Sequence, residues 1–368
     1  MFGGAFRDKT VWLSGATGFK GAWLAEWLLQ LGARVHGFSL APATTPALFN
    51  QLQLAKRIKH EVADIRDAAS VRRSLLAVQP DWVFHLAAQS LVRPSYGQPV
   101  VTYETNVMGT VHVLEALRSL DKPCGAVMVT SDKCYENREW LHGYREEDPL
   151  GGRDPYSSSK AAAEIAIASW QRSFFANHPV RISSARAGNV IGGGDWAPER
   201  ILPDCIRALA AHQPIPVRNP QAVRPWQHVL EPLSGYLCLA VRSMQPGGFA
   251  ASAISATTAF NFGPEREANR TVRQLVEEIL RHWPGSWEDR SAPDAVHEAQ
   301  LLQLSTDKAR ALLGWVPVWH FNEAVQRTIA WYRQAYATSD PAAILEMTRA
   351  QLADYIKQAV SAGAGWST

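Results

Sequence analysis

Two short segments of the chain carry side chains that could exchange protons with a substrate. Tyr156 and Lys160 are four residues apart, which places them on one face of a helix. A lysine ammonium group lowers the pKa of a neighbouring phenol from its usual value of about 10, so Tyr156 could act as a base near neutral pH. Ser131 follows an apolar run and could bind the same substrate oxygen. The pattern predicts base catalysis at a hydroxyl group, with a pair on a helix surface as the alternative.

A glycine-rich turn near the start of the chain could hold a dinucleotide. Gly15, Gly18 and Gly21 follow an apolar run with the spacing G-x-x-G-x-x-G, and a helical apolar pattern comes next. A turn without side chains lets backbone N–H groups approach a pyrophosphate, and the helix N-terminus adds about half a positive charge. The motif therefore predicts a dinucleotide site, and a turn that serves only packing is the alternative.

Strands and helices alternate over the first half of the chain. After the strand before Gly15, further strands are predicted at 34–40, 58–62, 81–87, 125–131 and 180–186. Helices of 10–20 residues between strands are typical of a parallel sheet with right-handed crossovers. We therefore predict an α/β fold, namely a Rossmann-like, doubly wound parallel sheet with helices on both faces and a smaller C-terminal substrate-binding lobe.

Glycines and prolines become frequent after about residue 189, which indicates a less regular lobe over the mouth of the sheet. The predicted domains are residues 1–187 for the dinucleotide-binding domain, with 225–248 returning to it; 188–224 and 249–335 for the smaller lobe; and 336–368 for a C-terminal helical extension.

The composition excludes several classes of protein. The 368 residues include 37 basic and 34 acidic residues, a balance that argues against a protein that coats nucleic acid. No apolar run approaches the roughly 20 residues that span a bilayer. The four cysteines are far apart, which suits reduced thiols better than a disulfide framework or a metal site. The first residues lack the apolar segment of a signal peptide, so a cytoplasmic location is expected.

One acidic residue could bind the adenine end of a dinucleotide. Asp64 and Ile65 follow the short third strand, where the carboxylate could bind the adenine amino group. The alternative is a solvated acidic turn in which Arg66 and Asp67 pair locally. At the end of the second strand, where an acidic residue usually binds the adenosine ribose, the chain has Ser39. The usual signal for NAD over NADP is therefore missing.

The motifs together resemble a known family. The glycine-rich turn, Asp64-Ile65, the string His85-Leu86-Ala87-Ala88-Gln89, Asn106, Ser131, Tyr156 and Lys160 are similar to the extended short-chain dehydrogenase/reductase superfamily. Within it, the CDP-glucose 4,6-dehydratases are the most similar, through the strings at 17–24, 130–135, 188–196 and 224–229. The resemblance covers residues 6–335. The Asp132-Lys133 pair and the Gly-Gly-Gly-Asp-Trp string at 192–196 narrow it to the dehydratase branch.

The resemblance implies NAD as the cofactor and CDP-glucose as the substrate. In the implied reaction the C4 hydride goes to NAD, water leaves across C5–C6 and the hydride returns to C6. The product is CDP-4-keto-6-deoxyglucose. Tyr156 would take the C4 hydroxyl proton with the help of Lys160 and Ser131. Asp132 would protonate the departing C6 hydroxyl, provided that burial keeps its carboxyl group protonated.

Lys133 has three possible roles. Related dTDP-glucose dehydratases carry a glutamate here as the C5 base, and Lys133 could be that base if desolvation and Lys160 lowered its pKa from about 10.4. It could instead stay charged and stabilise the enolate at O4. A pair with Asp132 or Glu136 and no catalytic role is the third possibility.

The resemblance also assigns binding residues. The cofactor would contact Gly15, Thr17, Gly18, Phe19, Gly21, Asp64, Ile65, Leu86, Ala87, Ala88, Tyr156 and Lys160. The substrate would contact Gln89, as a hydrogen-bond donor, and Ser131, Asn189, Arg200, Ile201, Arg218, Arg224 and Asn261. Arginine suits a diphosphate because its planar fork contacts two oxygens. No metal is expected. His85 is interpreted as a strand residue without a catalytic role, and the string His297-Glu298-Ala299 has no assigned role.

The motifs leave other functions open, and they also suggest an oligomer. The alternatives are a 4,6-dehydratase of a dTDP- or GDP-sugar, an NAD-dependent epimerase of nucleotide sugars, and a dinucleotide-binding protein without activity. Superfamily members usually pair through two long helices, here at 99–119 and 155–176, into a four-helix bundle. A homodimer or homotetramer is therefore expected, with a small-molecule substrate and neither nucleic acid nor membrane as a partner.

Overall fold

The computed structural model describes residues 1–245, 258–291 and 301–367. The described strands are, in chain order, β1 (Thr10–Ser14), β2 (Arg34–Ser39), β3 (Lys59–Val62), β4 (Trp82–His85), β5 (Cys124–Val129), β6 (Val180–Arg186), β7 (Val190–Ile191), β8 (Ile215–Val217), β9 (Val223–Pro225), β10 (Gln227–His228), β11 (Ala259–Asn261), β12 (Asn269–Thr271) and β13 (Trp287–Asp289). The described helices are α1 (Phe19–Gln30), α2 (Leu48–Gln51), α3 (Ala68–Val78), α4 (Val92–Gly97), α5 (Pro99–Tyr103), α6 (Gly109–Leu117), α7 (Pro155–Phe174), α8 (Ile201–Ala210), α9 (Leu230–Met244), α10 (Val272–His282), α11 (Asp307–Leu313), α12 (Phe321–Ala337) and α13 (Pro341–Ser361).

Seven strands form one parallel sheet in the order β11-β6-β5-β4-β1-β2-β3. The inner strands β4 and β5 are buried at every position because helices cover both faces of the sheet, and their sequences are accordingly almost wholly apolar. The strand order reverses between β1 and β4, and ligands of doubly wound sheets bind at that point, beyond the carboxyl ends of the strands. The predicted fold class is confirmed.

The predicted helix at 99–119 follows one continuous path, but its hydrogen-bonding pattern changes in the middle. A π-helical turn over Glu104–Met108 separates α5 from α6. The turn contains Asn106, whose side chain is buried. Such one-turn π segments often mark functional sites because the wider turn redirects a side chain.

The second half of the chain contributes to the central sheet as well as to the smaller lobe. Helix α9 packs on β5 and β6, within the segment 225–248 that was expected to return to the first domain. Strand β11 lies beside β6 in the main sheet, although the sequence placed residues 249–335 in the smaller lobe. That boundary is wrong at β11, because three residues gave too short an apolar run to be recognised as a strand.

The segment that follows α13 packs against the first residues of the chain. Trp366 stacks on Phe2 at a ring separation of 5.2 Å and on Tyr355 at 5.9 Å. Trp27 on α1 lies edge-on to Trp366 and to Tyr355. The predicted C-terminal extension therefore contributes aromatic side chains to the hydrophobic core and buries Trp27 of α1.

Two further findings concern the whole of the described chain. No described helix combines the length and the apolar character needed to cross a bilayer. Cys124, Cys134, Cys205 and Cys238 are all buried and unpaired. Burial raises the pKa of each thiol, which makes these cysteines unreactive.

Candidate active site

A cleft of about 1780 Å³ runs along the carboxyl ends of the central strands. It extends from the glycine-rich turn, past the segment after β5 and the start of α7, to the loop that precedes α8. Every site residue predicted from the sequence lines this cleft except Asn261. A volume of this size is sufficient for two nucleotide-sized ligands side by side.

The glycine-rich turn fits closely against the neighbouring strand. Gly15 has a φ of +73°, and a Cβ atom on it would lie 2.8 Å from the Ala87 nitrogen. A Cβ on Gly21 would lie 2.0 Å from the Gly15 carbonyl oxygen. The Thr17 hydroxyl donates to the Leu40 carbonyl oxygen at 2.9 Å and so ties the turn to the end of β2. The three glycines leave backbone N–H groups at the start of α1 open to the cleft.

At the other end of the cofactor half of the cleft, Asp64 is paired with Arg66. The guanidinium group donates to both carboxylate oxygens, at 2.7 to 3.1 Å. These bonds hold the pKa of Asp64 below its usual value. Asp67 caps the N-terminus of α3 and does not pair with Arg66. The local ion pair of this turn is therefore between Arg66 and Asp64. The Ser39 hydroxyl is buried against the His60 Nε2 atom at 2.9 Å.

The loop after β4 is built by its own side chains. Both ring nitrogens of His85 have partners, Ser14 at 2.7 Å and Thr110 at 3.1 Å, which agrees with a structural role. The Gln89 amide donates to the Leu91 carbonyl and to Thr102, at 3.0 and 3.1 Å. Both N–H groups of Gln89 are therefore used within the protein. Gln89 lines the cleft, and its contact with the substrate stays a prediction.

Asn106 supports the start of α7 from the π-helical turn. Its amide donates to the Ser159 hydroxyl at 2.9 Å and to the Gln89 carbonyl at 3.0 Å, and its oxygen accepts from the Gln89 nitrogen. Ser159 precedes Lys160, so Asn106 fixes the helix turn that carries the lysine.

The segment after β5 forms a short 3₁₀ turn over Asp132–Cys134. The Ser131 side chain caps this turn by accepting from the Lys133 nitrogen at 3.2 Å. The Asp132 carboxyl group is buried and accepts from the Ser131 hydroxyl and from the Asn189 amide, both at 3.0 Å. In the described chain, no carboxylate lies within ion-pairing distance of the Lys133 ammonium group, so the structure does not support a pair with Asp132 or Glu136.

Tyr156 and Lys160 are buried on the face of α7 that meets the cleft. Burial raises the pKa of Tyr156 to about 12, although hydrogen bonding with Ser131 and the charge of Arg200 lower it in part. The expectation of a lowered phenol pKa is therefore wrong for this structure, because desolvation outweighs the hydrogen bond with Ser131 and the charge of Arg200. Burial also lowers the pKa of Lys160 to about 8, while the Glu164 carboxylate opposes this shift.

Arginines from the smaller lobe line the other half of the cleft. Arg200 donates to the Asp195 carboxylate at 3.0 Å and to the Ser90 hydroxyl at 2.8 Å, so it links the two walls. Arg218 lies 3.9 Å from the Asp204 carboxylate. Arg224 donates to the Val223 carbonyl oxygen at 2.9 Å. Ile201 lines the cleft at the start of α8, next to Arg200.

Asn261 lies outside the cleft. Its side-chain oxygen accepts from the Tyr135 hydroxyl at 2.7 Å, and its amide donates to the carbonyls of Tyr144 and Ser305. The residue is fully buried at the end of β11, where it joins three segments. The prediction of a substrate contact is wrong because this asparagine faces the interior of the lobe.

Two residues of the site were missed by the sequence reasoning. Lys20 lies inside the glycine-rich motif, and burial together with the charges of Arg200 and Lys160 lowers its pKa to about 8. Glu164 is buried one helical turn after Lys160 and opposes the lowering of the Lys160 pKa, a role that local spacing does not predict. The string His297-Glu298-Ala299 falls outside the described residues.

Comparison with known proteins gives the family. A family model described as GDP-mannose 4,6 dehydratase matches residues 13–328. A curated relative from Salmonella typhimurium, named CDP-glucose 4,6-dehydratase, is 43% identical over 95% of this chain and 97% of its own. A dTDP-glucose 4,6-dehydratase from Neisseria gonorrhoeae is 25% identical over 88% of this chain and 95% of its own.

Solved structures show the same fold. A dTDP-glucose 4,6-dehydratase from Streptomyces venezuelae, solved with NAD bound, superimposes with a TM-score of 0.75 at 24% identity over 89% of this chain and 98% of its own. A UDP-glucose 4-epimerase from Thermus thermophilus gives a TM-score of 0.73 at 24% identity, over 89% and 99% of the two chains. Because dehydratases and epimerases share the fold, the family assignment depends on the sequence matches. The chain belongs to the GDP-mannose 4,6 dehydratase family, the branch of nucleotide-sugar 4,6-dehydratases to which its motifs pointed.

Proposed function

We propose that the protein converts CDP-D-glucose to CDP-4-keto-6-deoxy-D-glucose and water, with NAD as its cofactor. The observation that carries the proposal is the turn formed by the buried Ser131 and Asp132 and the half-buried Lys133, which shares one cleft with Tyr156 and Lys160. An epimerase needs the tyrosine and the lysine but has no use for an acid next to them. The identity of 43% with a CDP-glucose 4,6-dehydratase supports CDP as the nucleotide.

The glycine-rich turn supports the proposed cofactor. A Cβ at Gly15 or Gly21 would collide with backbone atoms, so these positions leave a cradle without side chains at the N-terminus of α1. Thr17, Gly18 and Phe19 would hold the pyrophosphate there, and Asp64 and Ile65 would lie near the adenine. Leu86, Ala87 and Ala88 would pass along the cofactor, and Lys160 would bind the nicotinamide ribose. When bound, NAD would supply the acceptor for the hydride from C4 and, in its reduced form, the donor of that hydride to C6.

The side chains of the catalytic segment divide the proton transfers between them. Tyr156 takes the proton of the C4 hydroxyl group, with Ser131 bound to the same oxygen. The resulting 4-keto group makes the C5 proton acidic. Lys133 either removes that proton or stabilises the enolate at O4, and Asp132 protonates the C6 hydroxyl as it leaves. Arg200, Ile201, Arg218 and Arg224 are proposed to surround the nucleotide diphosphate.

Substrate and reaction are tested with one panel. The protein is incubated with NAD and with CDP-, dTDP-, UDP- or GDP-glucose, and the products are analysed by mass spectrometry and by absorbance in alkali. We expect CDP-glucose to lose one water without accumulation of NADH. Turnover of dTDP-glucose alone would contradict the nucleobase, and a C4 epimer of unchanged mass would indicate an epimerase.

We also propose a homodimer through α5, α6 and α7. These helices carry exposed apolar side chains, which a partner copy would cover; Val100 is 68% and Ile165 58% exposed. Ile165→Asp is expected to dissociate the dimer, as measured by light scattering after gel filtration. Val360→Asp, on an exposed position of α13 outside this face, is the control. A dimer that survives Ile165→Asp would contradict the proposed face.

The remaining expectations are also proposals. We infer that the protein acts in the cytoplasm, which four unpaired, buried thiols support. The division into a Rossmann-like domain and a smaller lobe is retained, with β11 transferred to the former.

A further inference from the structure

We propose that Asn189 positions the carboxyl group of Asp132 for proton delivery, rather than binding the substrate diphosphate as the sequence suggested. The inference rests on the proposed function, since it takes Asp132 as the acid of the elimination. It assigns Asn189 to the chemical step and leaves substrate binding to the arginines.

The contacts of Asp132 support this role directly. Asp132 is 1% exposed, and each of its carboxyl oxygens accepts from a different side chain. Ser131 donates to Oδ1 at 3.0 Å, and the Asn189 amide donates to Oδ2 at 3.0 Å. Two donors on opposite oxygens fix the plane of the carboxyl group, which a single contact would leave free to rotate.

The backbone before Asn189 is shaped to receive the carboxyl group. A Cβ atom on Gly188 would lie 2.0 Å from the Asp132 carboxyl carbon, so only glycine allows Asp132 to lie there. Asn189 itself has a φ of +53°, a left-handed conformation that asparagine adopts more easily than most residues. The same two positions therefore provide both the space and the donor.

Gln227 holds this backbone from the far side. Its amide donates to the Gly188 carbonyl at 3.0 Å and to the Phe262 carbonyl at 3.1 Å. Its backbone nitrogen donates to the Asn189 carbonyl at 3.3 Å. Because these bonds fix the peptide units of Gly188 and Asn189, the Asn189 amide is preorganised against Asp132.

An amide suits an acid that changes its protonation state during turnover. In the elimination, the C5–H bond breaks, its proton goes to the base and its electron pair forms the C5–C6 double bond. The C6–O bond breaks, and the leaving oxygen takes the proton of Asp132 and departs as water. The Asn189 N–H stabilises the carboxylate that results. When Asp132 is protonated, the side-chain amide of Asn189 can rotate by half a turn, so that its oxygen accepts from the carboxyl group.

The test replaces the side chain without disturbing the backbone. Asn189→Gly suits a positive φ and removes the amide. We expect kcat for water loss from CDP-glucose to fall by about 10- to 100-fold, because a misplaced acid loses much of its effect, while KM changes by less than about threefold. In an Asp132→Asn background, Asn189→Gly is expected to cost less than about threefold, since the two residues act as one unit. Arg224→Gln, for comparison, is expected to raise KM.

Several outcomes would overturn the inference. A large rise in KM with kcat unchanged would make Asn189 a diphosphate ligand. Equal losses with Asp132 present and with Asp132→Asn would exclude action through Asp132. If Asn189→Gly does not fold by circular dichroism, Asn189→Asp keeps the shape and the left-handed backbone but lacks the N–H donor, and the same fall in kcat is expected. A wild-type protein inactive on every nucleotide sugar would overturn the proposed function itself, and this inference with it.

Discussion

Tyr156→Phe is expected to lower kcat for water loss from CDP-glucose by about 10²- to 10⁴-fold, the range that a positioned acid or base contributes. The substitution removes one oxygen from a side chain that is 7% exposed and packed on α7. Phenylalanine keeps the shape of the ring, so the fold and nucleotide binding are expected to survive. The loss would therefore come from the missing base at the C4 hydroxyl group.

A matched control is available on the neighbouring helix. Tyr103 on α5 is hydrogen-bonded through its hydroxyl to Ser158 of α7 at 2.6 Å, but it does not line the cleft. Tyr103→Phe is expected to change kcat by less than about twofold. Rates are measured under saturating substrate, with thermal melting as the check on folding. A Tyr156→Phe variant that retains a tenth of the wild-type rate would exclude the tyrosine as the essential base.

Arg186→Met is expected to lower the free energy of unfolding by about 3–5 kcal/mol, the cost of leaving a buried charge without its partner. Arg186 donates to the Glu164 carboxylate at 2.7 Å, and both side chains are 3% exposed. Thr130 and Ser184 donate to the same carboxylate, at 2.5 and 2.8 Å. Urea unfolding at neutral pH measures the loss.

The matched variants of this pair separate charge from packing. Arg186→Met combined with Glu164→Gln removes both charges and is expected to recover most of the loss. Arg273→Met, which breaks the exposed pair with Glu277 on α10, is expected to cost less than about 1 kcal/mol. A double variant as unstable as Arg186→Met alone would show that packing, and not the unpaired carboxylate, causes the effect.

The pair also predicts a dependence on pH. Burial alone would raise the pKa of Glu164, but Arg186 and the hydroxyl donors outweigh it, so the pKa in the folded protein is lowered. A carboxyl group with a lowered folded pKa stabilises the protein at pH values above its unfolded pKa of about 4.3, and this contribution is lost as the pH falls below it. The difference between the wild type and Arg186→Met is therefore expected to shrink under acidic conditions.

The sequence was sufficient to predict the parallel sheet with its helices and the site residues that belong to local motifs. The glycine-rich turn and the apolar strands have spacings that follow from local geometry, so their positions could be predicted without a structure. The Tyr156 and Lys160 pair could be placed for the same reason, because residues four apart share a helix face.

The errors arose where a side chain depends on distant partners. Asn261 matched a family string, but its three contacts come from segments more than 40 residues away in the chain. Glu164 follows three alanines and reads as a solvated helix position, whereas Arg186 at the end of β6 makes it a core residue. The pKa of Tyr156 depends on how much water the folded cleft excludes. None of these quantities is encoded in local spacing.

The aromatic contact between Trp366 and the first helix has a consequence for the order of events during synthesis. The outer face of α1 is complete only when Trp366 and Tyr355 have joined Trp27 and Phe2. At about 5–20 residues per second, the ribosome needs on the order of tens of seconds to pass from Gly15 to Trp366. Throughout that interval Trp27 lacks the aromatic contacts with Tyr355 and Trp366 that complete its burial. Helix α1 is made long before Trp366, but it reaches its native packing only after Trp366 has been made.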